Sequence, residues 1–165
     1  MHDSDGIRWL DGDDLVTINQ VVINQYTPKE AAGVHDQGSL ESAQRAPSLF
    51  RFYEQTEDLF LLVAILISRL IQNHPFHNGN KRTAYAAGRM VLWMNGYRLH
   101  PPQPEVIEIC CALATHDVDE EQVAYWISCH AFGFDVDAAL QAMPSEGLSE
   151  LMSQLLSDRT DNSEV

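Results

Sequence analysis

The sequence predicts an all-α protein, a single-domain helical bundle with a central, buried antiparallel helix hairpin. Three observations predict it. Apolar residues recur at helical spacing along nearly the whole chain. Two segments, 59–67 and about 80–95, are almost free of polar residues past their first turns, which places them at the centre of a bundle rather than on its surface. Only about six residues join the two, so they pack back to back as neighbours. A chain of 165 residues with 45% apolar content can build one compact core but not two ordinary domains.

Taken in order, the first helix runs from Asp11 to Gln25, with apolar residues at 15, 16, 18, 21, 22 and 23. Asp13 and Asp14 stand near its start, where the helix dipole favours anions. Residues 33–38 form a loop, and Ser39 is the expected cap of a short helix ended by Pro47. Thr56 is the expected N-cap of the next helix, with Glu57 and Asp58 in its first turn. The helix from Asn80 to Asn95 carries the small residues Ala84, Ala86, Ala87 and Gly88, which admit a neighbouring helix closely, and Asn95-Gly96 is a left-handed stop. Trp93, Met90 and Met94 read as core. Tyr97 to Leu99 is a short strand at most, cut off by Pro101, Pro102 and Pro104. Helices over Glu105 to Thr115 and Asp119 to Ala131 complete a domain spanning 1–134. Residues 135–165 form an extension, with short amphipathic helices expected at 135–143 and 146–156 and a polar, disordered end.

Ten Lys and Arg against 24 Asp and Glu give a net charge of −14. That balance disfavours direct binding of bulk nucleic acid or an anionic membrane, both of which need a basic surface. It leaves room for a small anionic ligand held by one local basic cluster. The longest apolar run, Leu59 to Ile67, is too short for a membrane span, and the acidic start lacks the order of a secretion signal. Three cysteines, two of them adjacent, argue against a disulfide framework and for a cytoplasmic protein. Cys110, Cys111, His116, Cys129 and His130 lack the paired spacing of a zinc site and read as packing and surface residues.

The loop between the two buried helices has the opposite composition from theirs. His74-Pro75-Phe76-His77-Asn78-Gly79-Asn80-Lys81-Arg82 runs into a helix N-terminus, where free N–H groups and the dipole hold anions. Gly79 lets the backbone approach a ligand. Lys81 and Arg82 place two positive charges where the dipole disfavours them, and Lys81 is one of only two lysines. A bound phosphate accounts for that placement; a solvated first turn is the alternative that composition leaves open. Phosphoryl-type transfer needs phosphate donors, a positive charge and a base for the incoming hydroxyl. His74 is the candidate base, since histidine is the residue type most often used for that proton transfer; a plain helix cap is the alternative.

His74 to Ala84 resembles the signature of the Fic/Doc family, and Lys81 resembles its Doc (death-on-curing) branch. Asp36 to Ala43, with Arg45 and Pro47, is similar to the Doc element upstream of the active-site helix, and Asn95 to Leu99 is similar to the Doc segment just downstream of that helix. The likeness covers about residues 11–130 and implies a Fic/Doc-type helical bundle that modifies a hydroxyl of a target protein with a nucleotide. It implies that His74 is the base, that Gly79, Asn80 and Arg82 hold phosphate, and that Lys81 goes with transfer of the γ-phosphate of ATP. Members with glycine at that position transfer the nucleotidyl (AMP) group instead. It implies as target a threonine of a translation factor, elongation factor Tu, and as partner a small antitoxin that blocks the toxin. The family usually has Asp or Glu at the position of Asn78, where a carboxylate helps hold Mg²⁺. Asn78 is a weaker ligand for that ion, and His77 is no substitute. Metal held mainly by the nucleotide, help from another acidic residue, and impaired catalysis all stay open. Near-matches to an inhibitory motif, at Ser157 to Asn162 and Thr160 to Val165, read as chance, which leaves inhibition to a separate partner.

Overall fold

The computed structural model describes residues 2–4, 6–142 and 153. A β-hairpin of β1 (His2–Ser4) and β2 (Ile7–Trp9) opens the chain. Four helices come next, α1 (Gly12–Tyr26), α2 (Gln37–Glu54), α3 (Leu59–Asn73) and α4 (Asn80–Met94). Strand β3 (Tyr97–Leu99), helices α5 (Gln103–Ala114) and α6 (Glu120–His130), strand β4 (Ala131–Gly133) and helix α7 (Val136–Ala142) complete it.

Helix α3 is the axis of the bundle. Residues 62–68 are all buried, and α2, α4, α5 and α6 pack around it, as expected of a helix apolar on every side. Helix α4 lies back along it after the turn at 74–79. Gly88 makes their close approach possible, since a Cβ placed there would stand 2.5 Å from Ile67 Cδ1 and 3.3 Å from Val63 Cγ1. Met90, Trp93 and Met94 are buried in the core, as their spacing indicates.

Several boundaries differ from expectation. Pro47 does not end α2, which continues to Glu54. Pro47 lies on the buried face with Leu40 and Ala43, and packing of that face offsets the hydrogen bond that the ring removes. The α2 cap is Asp36, whose carboxylate accepts from the Ser39 N–H at 3.1 Å, so Ser39 sits inside the first turn. That N–H holds the Asp36 carboxyl below its ordinary value. The cap therefore helps at neutral pH and is lost in acid, as pH falls through the lowered pKa.

Helix α3 is capped by Asp58, not Thr56; Asp58 Oδ1 accepts from the N–H groups of Phe60 and Leu61. Among the described residues, Thr56 Oγ1 accepts only from the Asp58 N–H. Asp58→Ala should therefore lower stability by about 1 kcal/mol in a urea titration and Thr56→Ala by clearly less; equal losses would move the start of the helix back to Thr56.

The hairpin β1–β2 and strand β4 were not anticipated. Strand β4 pairs antiparallel with β3, Leu99 opposite Ala131. Strands of three residues carry too little alternation to read from sequence. Helix α7 falls within the expected 135–143 segment. The helix expected at 146–156, the polar end and the near-matches at Ser157 and Thr160 lie outside the described residues. Among those residues no helix is long and apolar enough to cross a membrane.

Candidate active site

The site begins where α3 ends. His74 is the C-cap of α3 in the left-handed conformation, φ 48° and ψ 53°. Asn or Gly usually occupies such a position, because a Cβ there crowds the carbonyl. Pro75 and Phe76 then turn inward and are buried, while the rings of His74 and His77 stay exposed. Among the described residues no hydrogen bond ties down the His74 ring, which leaves both nitrogens available to a substrate.

Two devices hold the loop rigid. The Asn80 side chain clamps Phe76, with Oδ1 accepting from its N–H and Nδ2 donating to its carbonyl, both at 3.0 Å. The strand-like segment 33–36 runs against the loop, with Val34 opposite Phe76. The His35 and Asp36 N–H groups donate to Pro75 O, and the His77 N–H to Gly33 O. The rings of His35 and His77 meet edge to face, 5.3 Å between centroids.

The loop ends on Gly79, which precedes α4 with φ +73° and caps it with no side chain. A Cβ there would stand 2.9 Å from Ile23 Cδ1, so Ile23 would have to shift, and the left-handed backbone itself favours glycine. The first hydrogen bond of the helix runs from the Thr83 N–H to Gly79 O at 2.8 Å. The N–H groups of Asn80, Lys81 and Arg82 lie ahead of it, where a helix presents donors to an anion. Asn78 stands one residue before that cap. Its Nδ2 donates to Ala31 O at 2.9 Å.

Lys81 and Arg82 reach into one groove of about 350 Å³ between α1, α4 and α5, floored by Val22, Tyr26, Tyr85 and Val106. Arg82 lies over the Tyr26 ring at 5.6 Å, with Nη1 donating to Thr27 Oγ1 at 3.3 Å. Lys81 Nζ stands 3.7 Å from Cys111 Sγ. The structure thus brings Lys81 and Arg82 together at one groove beside the first turn of α4. His74 lies outside the groove lining, at the α3 end of the loop. Asn80 commits its side chain to Phe76 and offers an anion its backbone N–H. Asn78 has an oxygen, Oδ1, but no charge, and no three His, Cys, Asp or Glu side chains gather into a metal site among the described residues. Asn78 therefore offers a hard cation a neutral oxygen, where a carboxylate would bind it more strongly.

The sequence reading missed Tyr26, the segment 33–36 and Asn19. Asn19 left a signal, a lone polar residue on the buried stripe of Leu15, Ile18, Val22 and Ile23.

The central hairpin of the bundle thus carries a basic helix start without a side-chain cap, close in the chain to an exposed histidine. The chain belongs to the Fic/DOC family, whose model matches residues 9–92. It is 25% identical over 118 residues to protein kinase doc of Escherichia phage P1, covering 72% of this chain and 91% of that protein. That likeness agrees with the lysine at 81.

Proposed function

We propose that this protein is a Doc-like toxin that transfers the γ-phosphate of ATP to a threonine or serine hydroxyl of a translation factor such as elongation factor Tu. A cognate antitoxin would restrain it. The convergence of Lys81, Arg82 and the uncapped first turn of α4 carries this reading, because it concentrates positive potential in a protein of net charge −14. His74 takes the proton of the target hydroxyl, and the oxygen attacks the γ-phosphorus. The bond from that phosphorus to the bridging oxygen breaks, and ADP leaves with its added charge held by Lys81 and Arg82. The apolar floor of the groove suits the nucleoside. Mg²⁺ would be held mainly by the nucleotide phosphates, with Asn78 Oδ1 as the ligand from the loop.

The experiment is transfer of label to purified elongation factor Tu from γ-labelled and, in parallel, α-labelled ATP. Label from the γ-position alone is the expected result. Label from the α-position would identify a nucleotidyltransferase, and no label from either, where an authentic Doc protein works, would overturn the reading.

The neutral side chain of Asn78, tied to Ala31 O, favours a second reading, a Fic/Doc fold that binds a partner without turnover. Asn78→Asp separates the two. An active native protein should change by less than about tenfold, because the nucleotide supplies most metal ligands. A rise from no activity to measurable activity would make the native chain a binding module.

A further inference from the structure

We infer that Asn19, on α1, is a positioning residue for the phosphate-binding loop, setting the direction in which the Gly79 N–H faces; the inference rests on the proposed ATP-dependent function. Asn19 is fully buried, where an amide left without partners is strongly unfavourable. Both N–H groups of its amide and one of the two acceptor positions on Oδ1 are used. Nδ2 donates to Asn78 O at 2.9 Å and to Thr83 Oγ1 at 3.0 Å, and Oδ1 accepts from the Gly33 N–H at 2.8 Å. The reversed amide would set Oδ1 against the Asn78 carbonyl oxygen and Nδ2 against the Gly33 N–H, so the partners fix its orientation.

Those partners lie on three separate elements: the catalytic loop, the first turn of α4, and the segment 33–36 that is itself bonded to residues 75–77. The Asn78–Gly79 peptide is trans. A planar trans peptide points its N–H opposite its carbonyl, so a carbonyl drawn inward to Asn19 turns the Gly79 N–H outward. Gly79 is left-handed and Asn80 begins the helix, and that succession lines up neighbouring N–H groups into a concavity for an anion. Asn19 is thus the buried brace of that concavity, 59 residues away in sequence from the peptide it orients.

Asn19→Leu keeps the approximate volume and removes all three bonds; Thr83→Val removes one. Ser68→Ala is the control, since Ser68 is equally buried but donates to Glu120, on α6. Each variant is assayed for ATP kinetics, unfolding midpoint and hydrogen exchange of backbone amides. Asn19→Leu should raise the KM for ATP by about tenfold or more with a smaller change in kcat. Thr83→Val should move KM the same way by less, and either change should speed exchange at residues 33–36 and 75–80 selectively. Ser68→Ala should lower the midpoint without moving KM. An unchanged KM in Asn19→Leu, or a KM that merely tracks lost stability as in Ser68→Ala, overturns the inference. If Asn19→Leu does not fold, Thr83→Val decides by the same criteria. If the native protein does not bind ATP, the functional reading falls and exchange alone decides: selective opening of the two segments sustains the brace, and a uniform change refutes it.

Discussion

His74→Asn should lower phosphate transfer by about 10²- to 10⁴-fold, the contribution of a general base, while the unfolding midpoint stays close to that of the native protein. The substitution isolates the chemistry. Asn tolerates the left-handed backbone that His74 adopts at the end of α3, and the residue is exposed. ATP binding should persist, because Lys81, Arg82 and the first-turn N–H groups are untouched. A steady-state assay with calorimetric ATP binding separates the two effects: kcat falls and the ATP affinity remains. A variant that transfers phosphate at the native rate would remove His74 from the mechanism and direct attention to another base.

Gly88→Leu should destabilise the fold by about 3 kcal/mol or more, at the upper end of overpacking changes in a dense core. Typical domains have only about 5–15 kcal/mol in total. Even a methyl at residue 88 meets Ile67 Cδ1 at 2.5 Å and Ile67 Cγ1 at 2.7 Å. Ile67 is itself buried, so it cannot swing away. Gly88→Ala should fall between, because the gain in helix propensity of about 1 kcal/mol offsets part of the crowding. Gly12 is the internal control, since a Cβ there meets nothing within 4 Å, and Gly12→Ala should leave the midpoint nearly unchanged. Urea unfolding of the three variants measures this directly. A Gly88→Leu midpoint equal to the native one would mean that α3 and α4 do not pack as closely as described.

Particular residues show why some of this was legible in the sequence. The α3–α4 hairpin was, because unbroken apolar runs and a short polar joint are local patterns, and Gly88 lies among small residues that announce close packing. The loop was legible because Lys81 and Arg82 contradict the helix dipole, an anomaly visible without coordinates. Local signals misled where tertiary packing outweighed them. Pro47 reads as a stop, yet its face of α2 is buried with Leu40 and Ala43. Thr56 and Asp58 are both good caps, and only the backbone path chose Asp58. Strand β4 borrows its partner β3 from the far side of α5 and α6, a pairing that no short window contains.

Sequence alone therefore determined that the protein is a helical bundle with a basic, glycine-bearing loop at its most apolar joint, since periodicity and charge placement are properties of neighbouring residues. The tertiary structure decided what each polar group of that joint does. Asn80 spends its side chain on Phe76, Asn78 on Ala31, and Asn19 on Asn78, Thr83 and Gly33. An amide serves whichever donor or acceptor the folded chain brings within about 3 Å, and for Asn19 and Asn78 those partners lie 14 to 64 residues away. Three asparagines that look alike in sequence become a clamp, a tether and a brace only once the helices have packed.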